Sequence, residues 1–142
     1  MSEDRTASEA NDEIRRLIEL PRVEFENLVA SLYRALGHQA TRTDAKDPQA
    51  AHVLVNAVNG QKWIVQCRQW RGAVGELVVR EFLALMEHEQ AAQGAIITTA
   101  KFTPRARDWA KGKSLHLYDG DEFVQAIKRI QSRKESSSRV VE

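Results

Sequence analysis

The sequence predicts an α/β fold, a three-layer α/β/α sandwich with a mixed central sheet. Two observations lead to this prediction. Residues 52–68 have the pattern of a β-hairpin, and the chain after them alternates between helix-like and strand-like segments. Strands of a hairpin run antiparallel, whereas strands joined by helices run parallel, so the sheet contains both kinds of pairing. The predicted order of elements is α-β-β-β-α-β-α-β-α.

The N-terminal third is predicted to be mostly helical. Residues 1–11 are polar and lack aromatic side chains, so we expect them to be disordered. A short helix is predicted over residues 13–20. Pro21 then suits the first turn of a longer helix over residues 22–36, in which apolar side chains recur at helical spacing. This longer helix is therefore expected to cover one face of the sheet.

The strands of the first half follow this helix. A first strand is predicted over residues 38–43 and a turn-rich loop over residues 44–51. The hairpin strands are residues 52–58 and 61–68, joined by a two-residue turn in which Asn59-Gly60 supplies two positive φ angles. Because strand side chains alternate between the two faces, Ile64, Gln66 and Arg68 share one face, while Trp63, Val65 and Cys67 share the other.

The second half alternates between helices and strands. Predicted helices cover residues 75–89, residues 105–111 with Thr103 as the N-cap, and the segment from Asp119 through Ile130; predicted strands cover residues 94–99 and 115–118. Residues 132–142 are rich in serine and charge and are expected to form a flexible tail. The chain is thus predicted to contain one folded domain, residues 12–131.

Composition narrows the class of protein without naming a function. The net charge is +1, with eight acids against four arginines in residues 1–30 and ten Lys/Arg against six acids from residue 101 onward. A single cysteine excludes an internal disulfide and fits a reducing cytoplasm. No apolar run approaches the roughly 20 residues of a membrane span. We expect a cytoplasmic protein that does not enter a membrane.

Several short motifs resemble those of one nuclease family. Residues 21–26 are similar to a first-helix pattern in which a "FE" pair precedes an apolar stripe, residues 65–68 resemble "VQCK", residues 97–99 resemble "iTt", and residues 117–120 resemble "liDG". Their order and spacing identify the chain as resembling the Mrr-type branch of the restriction-endonuclease-like (PD-(D/E)xK) nucleases. The resemblance implies a restriction-endonuclease-like fold and an association with DNA.

The resemblance also implies which positions form the site. Nucleases of this family cut DNA with a divalent metal. The metal is held by an aspartate at the start of the second strand and by a Glu or Gln that lies two residues before a lysine. A glutamate of the first helix lies nearby. In this chain these positions are occupied by His52, Gln66, Arg68 and Glu26 respectively. The aspartate is therefore replaced by histidine, and the lysine by arginine.

Those replacements alter the chemistry of the site. Mg²⁺ prefers oxygen ligands, whereas an imidazole suits transition metals, and Gln66 offers only a neutral carbonyl. Arg68 keeps a positive charge but cannot accept a proton. We therefore expect no metal cofactor and a lost or strongly impaired phosphodiesterase activity. If the enzyme is active, Asp47 or Asp44 is the substitute ligand, and the cofactor is Mg²⁺ or Mn²⁺.

Each candidate residue also has a plainer interpretation. His52 fits an ordinary strand-end histidine better than a metal ligand. Arg68 fits a phosphate contact, because a guanidinium matches phosphate oxygens, and equally an ion pair with Glu26. Trp70 is a candidate nucleic-acid contact, although packing against the hairpin is favoured. Cys67, on the opposite face from Gln66, is expected in the core.

The candidate DNA-binding residues lie in two groups. Arg68, Trp70 and Arg71 follow one another at the end of the hairpin, and Lys101 and Arg105 belong to a later basic cluster. The later cluster is either a phosphate-contacting patch or a solvated helix face.

Three hypotheses of function remain open. The first is a catalytically degenerate nuclease domain, a pseudoenzyme that binds DNA. The second is an active Mg²⁺- or Mn²⁺-dependent DNA endonuclease, rescued by Asp47 or Asp44. The third is a protein-interaction module without DNA binding, for example a homodimer built through an edge strand or the outer helices.

Overall fold

The computed structural model describes residues 2–43 and 52–141, with side chains described for residues 9, 11–43 and 52–133. The helices are α1 (Ser2–Glu19), α2 (Arg22–Ala35), α3 (Glu76–Glu89), α4 (Pro104–Ala110) and α5 (Gly120–Val141), and the strands are β1 (Gln39–Arg42), β2 (Val53–Asn56), β3 (Lys62–Arg68), β4 (Gln93–Thr98) and β5 (Leu115–Tyr118). No helix of this described part is both long enough and apolar enough to cross a membrane.

The five strands form one sheet in the order β1-β2-β3-β4-β5. Strand β2 runs antiparallel to both β1 and β3, whereas β4 runs parallel to β3 and β5. Helix α3 connects β3 to β4, and α4 connects β4 to β5, as parallel pairing requires. The mixed sheet is therefore confirmed.

Each face of the sheet carries its own apolar core. Val53 and Val65 point to a core shared with helices α1, α2 and α5, in which the Phe25 and Phe123 rings lie 5.4 Å apart. Ile64 points to the opposite core, shared with α3 and α4. Burying a side chain of this size contributes roughly 1.5–3 kcal/mol. The three layers and the predicted alternation of side chains are both confirmed.

The hairpin turn differs from the prediction. The amide of Ala57 donates to the carbonyl of Gln61 at 2.9 Å, and the amide of Gly60 donates back to the carbonyl of Ala57 at 2.9 Å. The loop is therefore three residues long, 58–60, and in this loop only Gly60 has a positive φ, 88°. A three-residue loop needs one left-handed residue, so Asn59 is spared the cost of a second positive φ.

Helices α1 and α5 are longer than predicted. Helix α1 begins at Ser2, within the segment expected to be disordered, and α5 continues to Val141, through the segment expected to be a flexible tail. Neither helix contains proline, and glycine occurs only at the first residue of α5. Each ordinary residue in a helix costs at most about 0.7 kcal/mol relative to alanine. Without proline or internal glycine, neither sequence contains a residue that would end its helix earlier.

Candidate active site at the carboxyl end of strand β3

The hairpin places His52 beside Gln66. Val53 pairs with Val65, so one further step along the two strands puts His52 opposite Gln66. On its other side His52 pairs with Thr43: the Thr43 amide donates to the His52 carbonyl at 2.9 Å, and the His52 amide donates to Thr43 Oγ1 at 3.0 Å. His52 and Gln66 are only 7% and 5% exposed. Both therefore lie under the surface, at the edge of the α3–α4 face.

Arg68 lies two residues further along the same face of β3. Its Nε is buried and has no hydrogen-bond partner among the residues that the structure describes. The guanidinium carbon lies 5.3 Å from the centre of the Trp70 ring. Burial lowers the pKa of Arg68, and the Glu81 carboxylate of α3 opposes this shift. Because an arginine pKa starts above 12, the side chain stays charged.

The strand end that carries Arg68 is fixed by two threonines of β4 and its following turn. Thr98 Oγ1 and the Thr99 amide donate to the Arg68 carbonyl at 2.8 and 3.1 Å. Thr99 Oγ1 donates to the Trp70 carbonyl at 2.8 Å. Both threonines are buried. The backbone from Arg68 to Trp70 is thus held in one position.

Gln69 fixes the other side of the same segment. Its Nε2 donates to the carbonyls of Leu17 and Leu20 at 2.9 Å each. These carbonyls belong to the end of α1 and the turn before α2, and a helix end leaves such groups unpaired. Gln69 therefore ties the start of α2 to the end of β3 that carries the site. Sequence reasoning missed this role, although Gln69 directly follows the site strand.

Glu26 lies on α2, at the same end of the sheet but against its other face. The side chain is 2% exposed and accepts a hydrogen bond from Arg42 Nε at 3.0 Å. The alternative of an ion pair between Arg68 and Glu26 is wrong, because strand alternation turns Arg68 toward α3 while α2 covers the opposite face. Sequence reasoning did not identify Arg42 as the partner of Glu26. A partly buried cation at the end of β1 nevertheless requires a nearby acid.

The described donor atoms do not fit a magnesium ion. Among the described side chains, those of residues 9, 11–43 and 52–133, no three His, Cys, Asp or Glu groups lie close enough to hold a metal. Where the family resemblance implies a carboxylate, the chain has the His52 imidazole, and the Arg68 cation stands two residues beyond Gln66. Mg²⁺ requires oxygen ligands and disfavours a neighbouring cation. Asp44 and Asp47, the substitute ligands considered above, lie outside the described residues.

The two candidate residues of the later basic cluster, Lys101 and Arg105, are paired with acids. Lys101 contacts Asp121, and the hydrogen bond to Asp121 raises the pKa of Lys101. Arg105 Nη1 lies 3.3 Å from a Glu76 carboxylate oxygen. Such exposed pairs contribute little to stability, but they offset the positive potential that would attract a phosphate. The geometry therefore favours the solvated helix face over a strong phosphate patch.

The residues at the end of the hairpin are more accessible. Trp70 is 39% exposed and Arg71 is exposed, and no described acid forms an ion pair with Arg71. Cys67 points away from them into the α2 face, where burial, followed by the Glu26 carboxylate, raises the pKa of its thiol. A thiol of this kind is inert as a nucleophile. The accessible groups at the end of β3 are thus the Trp70 ring, with the Arg68 guanidinium against it, and the Arg71 side chain.

Comparison with known proteins identifies the family of the chain. Residues 17–127 match the profile of the Mrr_cat family, described as a restriction endonuclease. The type IV methyl-directed restriction enzyme EcoKMrr of Escherichia coli (strain K12) is 25% identical over 140 residues, which cover 93% of this chain and 45% of that enzyme. The chain therefore spans less than half the length of this relative.

Two solved endonuclease structures have a similar fold. The DNA modification-dependent restriction endonuclease AspBHI has a TM-score of 0.66 at 14% identity, over 99% of this chain and 41% of AspBHI. A repair endonuclease from Pyrococcus abyssi has a TM-score of 0.52 at 14% identity, over 71% of this chain and 47% of its own. These likenesses show a restriction-endonuclease-like fold. With the profile match over most of its length, the chain belongs to the Mrr-type restriction endonuclease family.

Proposed function

We propose that this chain is an Mrr-type domain that binds DNA through Arg68 and has lost, or nearly lost, the ability to cut it. The observation that carries the proposal is the state of Arg68. Its Nε is buried without a described partner, while its charge lies on the exposed Trp70 ring beside Gln66. The terminal nitrogens of a guanidinium fit the oxygen atoms of a backbone phosphate, and no described acid forms an ion pair with Arg68.

The surroundings of Arg68 support a fixed binding site. Thr98, Thr99 and Gln69 anchor the backbone on both sides of it. A donor that is already in place loses little conformational entropy when it binds. Arg71 adds a second cation nearby, so the end of β3 offers at least two positive charges to a duplex.

The loss of cleavage is proposed from the donor set. In metal-dependent nucleases, phosphodiester cleavage depends on an ion that polarises the phosphate and activates water. Removing one oxyanion-stabilising group costs roughly 2.7–4 kcal/mol, or about 10²–10³ in rate, and losing the anionic ligand should cost at least as much. The described residues offer His52 and Gln66 at that place, and neither is an anion at neutral pH.

Binding is tested by fluorescence anisotropy with a labelled duplex at several salt concentrations. We expect the affinity to fall with salt, and an Arg68→Ala variant to flatten the slope of log K against log[salt] by about one. Arg133→Ala, an exposed arginine on α5, is the matched control and should leave the slope unchanged. Duplex binding that is absent at low salt, or equally strong in Arg68→Ala, contradicts the proposal.

Cleavage is tested separately with supercoiled plasmid and either Mg²⁺ or Mn²⁺. We expect no nicking above background by the purified protein. Nicking that disappears in Asp47→Ala or Asp44→Ala would show instead an active endonuclease with a substitute ligand. Because binding and cleavage are measured independently, each half of the proposal can fail alone.

A further inference from the structure

A second concave site lies on the α2 face of the sheet, opposite the face that carries Arg68. It is a cavity of about 590 Å³ beneath the C-terminal end of α2, over the beginning of β3 and β4. Trp63 and Gln93, which pair with each other at the start of these strands, both line it. Small-molecule sites usually measure roughly 300–1,000 Å³. The cavity is therefore large enough for a ligand of its own.

The register of the sheet gives the cavity its width. Val65 pairs with Ala95, and Ala95 pairs with His116, so the small side chain of Ala95 lies between larger ones on β3 and β5. Neighbouring strands are about 4.8 Å apart, which puts β3 and β5 roughly 9.6 Å apart. Ala95 and Val65 are only 4% and 1% exposed, so they form the closed floor of the cavity, and a ligand would lie above them.

Aromatic groups line the cavity on its β3 side and on its β5 side, at different levels of the sheet. On the β3 side, the His38 ring lies 4.7 Å from Trp63 in an edge-on arrangement. On the β5 side, the rings of His116 and Tyr118 lie 6.5 Å apart and nearly parallel. All four rings line the cavity. Rings are the surfaces on which planar ligands stack.

The lining carries no fixed charge. None of its residues is Asp, Glu, Lys or Arg. His38 Nδ1 accepts a hydrogen bond from the Val58 amide at 3.1 Å, so this nitrogen is already occupied. Burial raises the pKa of Tyr33, as does its neighbour Tyr118, and burial also raises the pKa of Tyr118. Both phenols therefore remain protonated donors, which suits an uncharged ligand.

We propose that this cavity binds an uncharged planar heteroaromatic ring of nucleobase size, stacked on one of the aromatic side chains that line it. The phenol groups, the Gln93 amide and the amide nitrogen of Gln61, whose oxygen already accepts from Trp63 Nε1 at 2.9 Å, supply hydrogen bonds to the ring's edge. A phosphate is not expected inside, since no lining cation would neutralise it. The ring could belong to a free nucleoside or to a base of a single strand, and the two sources share this chemistry.

The site can be tested on the whole protein by NMR, using the three tryptophan indole N–H signals. Adenosine, guanosine, cytidine and thymidine are titrated in turn, and a short single-stranded oligonucleotide follows. We expect saturable movement of the Trp63 signal below about 5 mM nucleoside, without movement of Trp70 or Trp109. Tighter binding of the oligonucleotide at Trp63 assigns the ring to a strand; tighter binding of the nucleoside assigns it to a free ligand. No movement of the Trp63 signal with either probe overturns the proposal.

Two variants separate binding in the cavity from nonspecific stacking. Tyr118→Phe removes one hydrogen-bonding group and keeps the ring, and His116→Ala removes one wall; each should weaken the Trp63 titration by roughly 3–10-fold. His88→Ala, an exposed histidine of α3, is the matched control. Equal affinities in all four proteins contradict the site. Duplex affinity measured by anisotropy should not change in His116→Ala, so failure here is distinct from failure of DNA binding at Arg68.

Discussion

The Arg68 guanidinium carbon lies 5.3 Å from the centre of the Trp70 ring. Between them in the chain lies Gln69, whose side chain donates to the Leu17 carbonyl. The ring supports the cation at a place where the arginine Nε has no described partner. A cation–π contact at an exposed site is worth about 0.5–1 kcal/mol. The contact can therefore fix the direction of the guanidinium without neutralising its charge.

We expect Trp70→Ala to weaken duplex binding by about 2–5-fold, because Arg68 loses the surface that orients it. Trp109→Ala is a matched control, since both tryptophans are 39% exposed and both lie under cations. Anisotropy at fixed low salt measures the two affinities. If Trp70→Ala binds as tightly as the unaltered protein while Trp109→Ala does not, the DNA surface lies on α3 and α4 instead.

The Glu26–Arg42 pair predicts a loss of stability rather than a loss of DNA binding. Glu26 and Arg42 side chains are 3% and 22% exposed, so Arg42→Ala leaves a buried carboxylate unpaired. Breaking a buried pair costs roughly 3–5 kcal/mol, and partial exposure of Arg42 reduces the expected loss to about 2–3 kcal/mol. Urea unfolding measures it. Arg15→Ala, in an exposed pair with Asp12, should cost under about 0.5 kcal/mol.

Glu26→Gln distinguishes a structural role of this carboxylate from a site role. The amide keeps the shape but weakens the contact with Arg42, so we expect a lower midpoint of unfolding and a duplex affinity within about two-fold of the original. A variant with unchanged stability and lost DNA binding would restore Glu26 to the functional site. The double variant with Arg42→Ala should lose less than the sum of the two single losses.

Features that depend only on neighbouring residues in the chain could be predicted from the sequence. The alternation along residues 62–68 fixes which side chains share a face, and the structure confirms that Gln66 and Arg68 point together. Thr103 was correctly assigned as a helix cap, since its Oγ1 accepts from the Ala106 amide at 3.1 Å. Both features depend only on neighbours in the chain.

Features that depend on distant contacts were harder to predict. No local pattern states which face α2 covers, so the partner of Glu26 could not be deduced, and Arg42 lies 16 residues away. The reach of Gln69 to Leu17 and Leu20 spans about 50 residues, between elements whose packing only the folded chain defines. The cavity above Ala95 likewise requires the register of three strands. Sequence reasoning therefore located the site strand but not its supports.

The buried Cys67 thiol predicts a stability that falls in alkali. Burial raises its pKa in the folded state, so its contribution is fully present below the unfolded pKa of about 8.5 and is lost as the pH rises above it. Between pH 7.5 and 9.5 we expect the free energy of unfolding to fall by about 1 kcal/mol, measured by urea titration. Cys67→Ala should remove most of this change, while a pH dependence identical to that of the original protein would place its source elsewhere.

The family resemblance predicts that two substitutions can restore metal-dependent DNA cleavage at the site. In the variant with His52→Asp and Arg68→Lys, a carboxylate stands beside the Gln66 carbonyl, and an amine replaces the guanidinium. The carboxylate supplies the anionic oxygen that Mg²⁺ needs, and the lysine can orient the attacking water. We expect Mg²⁺-dependent nicking of supercoiled plasmid at least about 100-fold above the original protein. The variant with His52→Asn and Arg68→Lys, which has the same shape without the charge, is the matched control and should stay inactive. If the Asp–Lys variant folds, binds Mn²⁺ by calorimetry and still fails to nick, the loss of activity has a cause other than these two residues.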